Sequence, residues 1–156
     1  MRIAYLADRP DAAPVLAAWF AREWGDGGAQ RTDAYAAQLA KCMRRDRLPI
    51  CLVGLLGVEP VATATLKFRE IEYADEADFW VGWVCVRPDM RGRGYGTALV
   101  AAAEAEAAAR GLTPLYLHTP GAAAFYRRLG WRTVGTTTSD GHPSTVMTKV
   151  PASAGS

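Results

Sequence analysis

Two hydrophobic periods alternate along this chain, and together they lay out an α/β order of elements. Ile3 to Leu6 reads as a short strand. Pro10 to Trp24 follows a helical period, with Val15, Leu16, Trp19 and Phe20 clustered on one side. Trp24-Gly-Asp-Gly-Gly28 breaks that helix into a loop. Thr32 or Asp33 can cap a second helix that reaches about Arg45, with Tyr35, Leu39 and either Cys42 or Met43 turned inward. Pro49 to Leu56 and Val61 to Ile71 are strands joined by the hairpin Gly57-Val-Glu-Pro60. Phe79 to Val86 is almost unbroken apolar, as a strand buried on both faces must be. Arg87-Pro88-Asp89-Met90 ends it, because proline cannot continue a ladder. An alanine-rich helix from about Gly94 to Arg110 follows, closed by Gly111. Leu115 to His118 is a short strand, and Thr119-Pro120 opens a short helix stopped by Gly130. Strands over Arg132 to Thr138 and Thr145 to Val150 bracket a turn from Ser139 to Pro143.

Length and composition narrow the class. A chain of 156 residues, 50% hydrophobic and 22% charged, suits one domain over residues 1–150, with 151–156 a tail that has nothing to bury. A net charge of +2 with no basic stripe argues against a nucleic-acid partner. No stretch has the length and apolarity of a membrane span, and charge comes too early at the N-terminus for a secretory leader. Cys42, Cys51 and Cys85 are odd in number and lack metal spacing, which predicts buried reduced thiols, no metal and a cytoplasmic setting.

The densest chemistry lies in Arg91-Gly92-Arg93-Gly94-Tyr95-Gly96, between the apolar strand and the alanine-rich helix. Three glycines free the backbone and leave amides uncovered, and the helix points its positive N-terminal end at them. With two arginines alongside, the loop suits a diphosphate. Taken alone it is also compatible with a solvated basic turn. The spacing is not that of a dinucleotide fingerprint, and no Gly-Lys-Ser/Thr follows to make a P-loop. Further on, the block from Leu115 to Trp131 joins a strand, a short helix carrying Phe125-Tyr126, and Gly130-Trp131.

The two motifs in this order resemble those of the GCN5-related N-acetyltransferases, over roughly residues 48 to 150. The resemblance implies a mixed, mostly antiparallel central sheet flanked by helices, with acetyl-coenzyme A as cosubstrate. It implies that Arg91, Gly92, Arg93, Gly94, Tyr95, Gly96 and Thr97 hold the pyrophosphate. Val84, Cys85 and Val86 would meet the pantetheine arm by main-chain hydrogen bonds, and Thr119 and Ala122 would contact the coenzyme. The Val84 N–H would face the developing oxyanion. Tyr126 would protonate the departing thiolate, its ordinary pKa of about 10 lying not far above a thiol's. The alternative for Tyr126 is an ordinary core tyrosine, and Cys85, with no basic neighbour in sequence, is not a nucleophile.

Two positions depart from the family pattern. Gly82 stands where many members carry a glutamate, which leaves Glu70, Glu72, Asp78 or solvent as the base; Glu72 and Asp78 lie nearest the catalytic strand in sequence. Thr119 stands where many relatives have asparagine. The run of Glu70, Glu72, Asp75, Glu76 and Asp78 can draw in a cationic amine or simply form a solvated edge. Trp24, Trp80 and Trp83 can line an acceptor pocket or belong to the core. The expected acceptor is a small-molecule or peptide amine, and a homodimer is compatible with the sequence. A non-catalytic acyl-coenzyme A sensor of the same fold, or a nucleotide-binding protein, are the competing readings.

Overall fold

The computed structural model describes residues 1–139 and 141–152. Among them the order is β1 (Arg2–Tyr5), α1 (Ala13–Trp24), α2 (Ala29–Ala40), β2 (Ile50–Leu56), β3 (Glu59–Phe68), β4 (Phe79–Val86), α3 (Tyr95–Ala109), β5 (Leu115–Thr119), α4 (Ala123–Arg128), β6 (Arg132–Ser139) and β7 (His142–Lys149). The strands form one seven-stranded sheet in the order β1-β2-β3-β4-β5-β7-β6, flanked by helices. It is mostly antiparallel, with one parallel pair, β4 and β5, where Phe79 lies opposite Leu115 and Trp80 opposite Tyr116. The mixed sheet expected from the motifs is therefore the one observed.

The chain packs as two compact units, one of Met1–Leu66 with Trp83–Ala103, the other of Lys67–Gly82 with residues 104 onward. In the first, Leu16, Phe20, Leu39, Cys51, Val53 and Leu55 form a closed core between α1, α2 and β2. In the second, Ala77, Trp80, Tyr116 and Val146 form a smaller one.

Several boundaries differ from the sequence reading, each for a local reason. Residues Pro10–Ala12 are a 3-10 turn, so α1 proper begins at Ala13, and Val15 faces outward at 41% exposure while Ala17 and Ala21 turn in. Helix α2 starts at Ala29, ahead of Thr32 and Asp33. Gly28, extended at φ −72° and ψ 159°, takes the N-cap place, and the Thr32 hydroxyl donates back to its carbonyl at 3.0 Å. The same helix ends at Ala40 rather than near Arg45. Strand β3 stops at Phe68, because Arg69 at φ 47° turns the chain. Strand β5 runs on to Thr119, and α4 begins only at Ala123; the Thr119 hydroxyl accepts from the Ala122 N–H at 3.0 Å and shapes the turn between them.

Both predicted helix stops are glycines in the left-handed region, Gly111 at φ 69° and Gly130 at φ 93°. At each, the next N–H reaches back across the last turn, Leu112 to Ala107 at 2.9 Å and Trp131 to Tyr126 at 3.1 Å. The expected turn from Ser139 to Pro143 is shorter, since β6 runs through Ser139 and β7 resumes at His142. Asp140, and residues 153–156 of the predicted tail, lie outside the described residues.

Candidate active site

Strand β4 holds a feature that no pattern of apolar residues announces. Trp83 sits at φ 49°, the left-handed region, in mid-strand. For a bulky residue that conformation costs about 1–2 kcal/mol, so its surroundings must hold it. The Thr63 hydroxyl does so in part, donating to the Trp83 carbonyl at 2.7 Å. Main-chain bonds flanking β3 and β4 run from Arg87 N–H to Val61 O at 2.9 Å and from Arg69 N–H to Asp78 O at 2.7 Å. Eight residues separate the first-strand partners and nine the second, so one strand carries an extra residue: a β-bulge. A bulge re-aims the main-chain groups beside it, here those of Val84, the next residue.

The loop after β4 is open. Gly92 and Gly94 have φ of 79° and 83°, and a Cβ at either would meet nothing within 4 Å. Helix α3 starts at Tyr95, and its first turn closes with Ala98 N–H on Gly94 O at 3.1 Å. The amides of that first turn have no helical partner, so they point their positive end into the loop. Arg93 and Thr97 are exposed. These residues fit the diphosphate of a coenzyme A molecule. Arg91 is tethered instead: its Nε donates to Val86 O at 3.1 Å and its guanidinium pairs with Glu23 of α1 at 2.9 Å. Glu23 was not singled out from the sequence, where a lone glutamate late in a helix gives no signal.

Cys85 is buried, and its thiol is pushed up to about 11, first by desolvation and then by the charge of Glu23. It borders a cavity of about 340 Å³ shared with Trp19, Arg22, Glu23, Arg87, Pro88 and Asp89. Such a thiol is not a nucleophile at neutral pH. Nearby in the same unit, the Phe20 ring packs at 5.2 Å from Trp24, 5.2 Å from Trp83 and 5.7 Å from Tyr35. Trp24 and Trp83 are half-buried and pack against the same core.

In the other unit the acid candidate is held by burial. Tyr126 on α4 is only 7% exposed, and its hydroxyl is pushed up to about 12, first by desolvation and then by the charge of Glu70. Glu70 follows β3. Its carboxylate pairs with Lys67 at 3.2 Å and lies 3.8 Å from Nε2 of His118, whose Nδ1 is 3.1 Å from the Ser144 hydroxyl. Against Gly82 the fit is closer: a Cβ there would lie 2.8 Å from Cδ and Oε2 of Glu70, and nearer still to Oε1. His118 and Ser144 were missed in the sequence, because a single histidine on a strand end carries no motif.

The remaining candidates divide. Trp80 is fully buried in the core of this unit, its ring tilted against Tyr116 at a centroid distance of 5.5 Å and its Nε1 donating to Ala77 O at 2.7 Å. Asp78 is engaged by Arg69 at 2.7 Å. Glu72 is exposed. Among the described residues no group of three or more metal-binding side chains comes together, and no helix is long and apolar enough to cross a membrane.

Comparison with known proteins then places the chain. The sequence model of the acetyltransferase (GNAT) family matches residues 14–131. No curated protein is similar enough to match. Among solved structures, an aminoglycoside 6'-N-acetyltransferase complexed with coenzyme A is 18% identical, with all of both chains covered and a TM-score of 0.78. The aminoglycoside 6'-N-acetyltransferase from Enterococcus faecium is also 18% identical over all of both chains, at 0.76. The ribosomal-protein-alanine N-acetyltransferase from Brucella melitensis is 21% identical, covering 96% of this chain and 99% of its own, at 0.72. These likenesses are in fold.

Proposed function

The chain belongs to the acetyltransferase (GNAT) family, and from that footing we propose that it transfers the acetyl group of acetyl-coenzyme A to a primary amine by direct attack. The observation that carries this reading is the open loop of Gly92 and Gly94 running into the N-terminus of α3. Residues Arg91 to Thr97 hold the diphosphate there, Arg91 exchanging part of its bond to Glu23 for phosphate. The main chain of Val84, Cys85 and Val86 binds the pantetheine arm, and Thr119 and Ala122 complete the coenzyme contacts. Acetyl-coenzyme A supplies an acyl group activated as a thioester.

The chain's own groups then manage charge and protons. The Val84 N–H, next to the bulge at Trp83, donates to the oxygen that becomes negative. Tyr126, its pKa raised by burial and by the Glu70 charge, is protonated at neutral pH and serves as the donor to the departing sulfur. Trp24 and Trp83 offer the acceptor an aromatic surface, and the acidic run attracts it as a cation. Two solved neighbours act on aminoglycosides and one on a ribosomal protein by name, so both small-molecule and peptide amines belong in the test. The cytoplasm is the compartment that suits three cysteines held outside any disulfide.

The absence of a glutamate at position 82 favours one other reading, a coenzyme-binding sensor without catalysis. Release of free thiol from acetyl-coenzyme A, measured with a panel of primary amines, separates the two. Amine-dependent release supports the transferase, and tight coenzyme binding without release supports the sensor.

A further inference from the structure

We infer that Glu70 is the proton acceptor of this enzyme, its carboxylate filling from the end of β3 the space that Gly82 leaves open on β4. The inference rests on the acetyltransferase reading above and adds a residue that the neighbouring strand does not supply.

The argument is one of space and charge. The Glu70 carboxylate, 15% exposed, keeps its charge beside Lys67 at 3.2 Å, since a charge drawn out of water needs a partner. Glu70 is pressed so closely on the α-carbon of Gly82 that no side chain can be added there without displacing it. Glycine at 82 is therefore complementary to glutamate at 70: one residue makes room and the other occupies it. The position is also chemically apt, since Gly82 stands one residue before the bulge at Trp83 and two before Val84. The titratable groups facing Glu70 are Lys67 from β3, His118 from β5 and Tyr126 from α4. Glu72 is exposed, and of the acidic run it is Glu70, only 15% exposed, whose charge bears on Tyr126.

The proton balance closes. The substrate arrives as an ammonium and leaves as an amide, so it sheds two protons. Glu70 takes the first, which frees the nitrogen lone pair to form the C–N bond, and later returns it to solvent. The second ends on the sulfur as the C–S bond breaks, Tyr126 giving its proton to the thiolate and being reprotonated from the amine nitrogen. Neutralising Glu70 also removes one of the two influences that hold the proton on Tyr126. Base and acid are thus coupled: proton uptake at the first prepares the second to donate.

The test starts from a wild-type chain shown to acetylate an amine, so that failure of the transferase reading is seen first and separately. Glu70→Gln keeps the shape and removes the base. Its kcat at pH 7 should fall by about 10²–10⁴-fold, with unchanged coenzyme A affinity by calorimetry, and should recover as pH rises through the amine's own pKa. A wild-type pH–rate profile for Glu70→Gln, or an equal loss at all pH, would overturn the inference. The exchange of positions gives an independent arm. Glu70→Ala combined with Gly82→Glu should turn over at least tenfold faster than Glu70→Ala alone, and a double variant no faster would overturn the equivalence of the two places.

Discussion

Removal of one oxygen, in Tyr126→Phe, tests the acid and its environment together. The ring is 7% exposed and packs on Phe125 and Trp131 at centroid distances of 5.0 and 6.2 Å, so losing the hydroxyl leaves the packing in place. Burial and then the Glu70 charge push the hydroxyl up to about 12, against about 10 in an unfolded chain. The sign follows directly. Between pH 10 and 12 the unfolded chain has lost this proton and the folded one has not, so stability is fully present below pH 10 and falls as pH rises toward 12. Two pKa units correspond to about 2.7 kcal/mol, an order-of-magnitude figure. Urea unfolding from pH 8 to 12 should therefore show the wild-type losing about that much more stability than Tyr126→Phe. Cys85 titrates in the same range but is common to both proteins, so it cancels in the difference. In turnover, the variant should lose about 10²–10⁴-fold in kcat with little change in coenzyme affinity. Parallel stability curves would refute the buried, charge-coupled hydroxyl, and an unchanged kcat would return Tyr126 to the core.

The loop and the strand thiol give further checks. Gly94→Asp puts a carboxylate beside the diphosphate and a side chain at φ 83°; calorimetry with coenzyme A should show affinity down by tenfold or more, about 1.4 kcal/mol, in a protein that still unfolds cooperatively. Unchanged affinity would remove the loop from the coenzyme site. Cys85, with its thiol near 11, holds about one thiolate in a thousand at pH 8, so its alkylation by iodoacetamide should be slow and rise about tenfold per pH unit; fast labelling at pH 7 would show the burial to be wrong.

What the chain's pattern revealed, and what it hid, follows from the range of the forces involved. Strand β4 and the helix stops at Gly111 and Gly130 were legible because they depend on residues within a few positions of one another. The early start of α2 was not, since Gly28 competes with Thr32 as cap and only the observed backbone decides between them. Trp80 and Trp83 look alike as neighbours on an apolar strand, yet one is fully buried and the other holds a left-handed bulge. The bulge depends on Thr63, twenty residues away, which no local pattern can register. The same holds for the base. Gly82 read as a loss while it was considered alone, and Glu70 read as one acid among five; the contact of Gly82 on β4 with Glu70, just past the end of β3, gives both a reason.

The central claim is that this chain acetylates amines, and detection of the product tests it most directly. Incubation with acetyl-coenzyme A and a mixed panel of aminoglycoside, polyamine and peptide N-terminal amines, followed by mass spectrometry, should yield at least one amine carrying a single added acetyl group. That product should appear in step with free thiol and be lost in Tyr126→Phe and Glu70→Gln at neutral pH. Coenzyme A bound tightly through the loop, with no acetylated amine in any arm, would contradict the account.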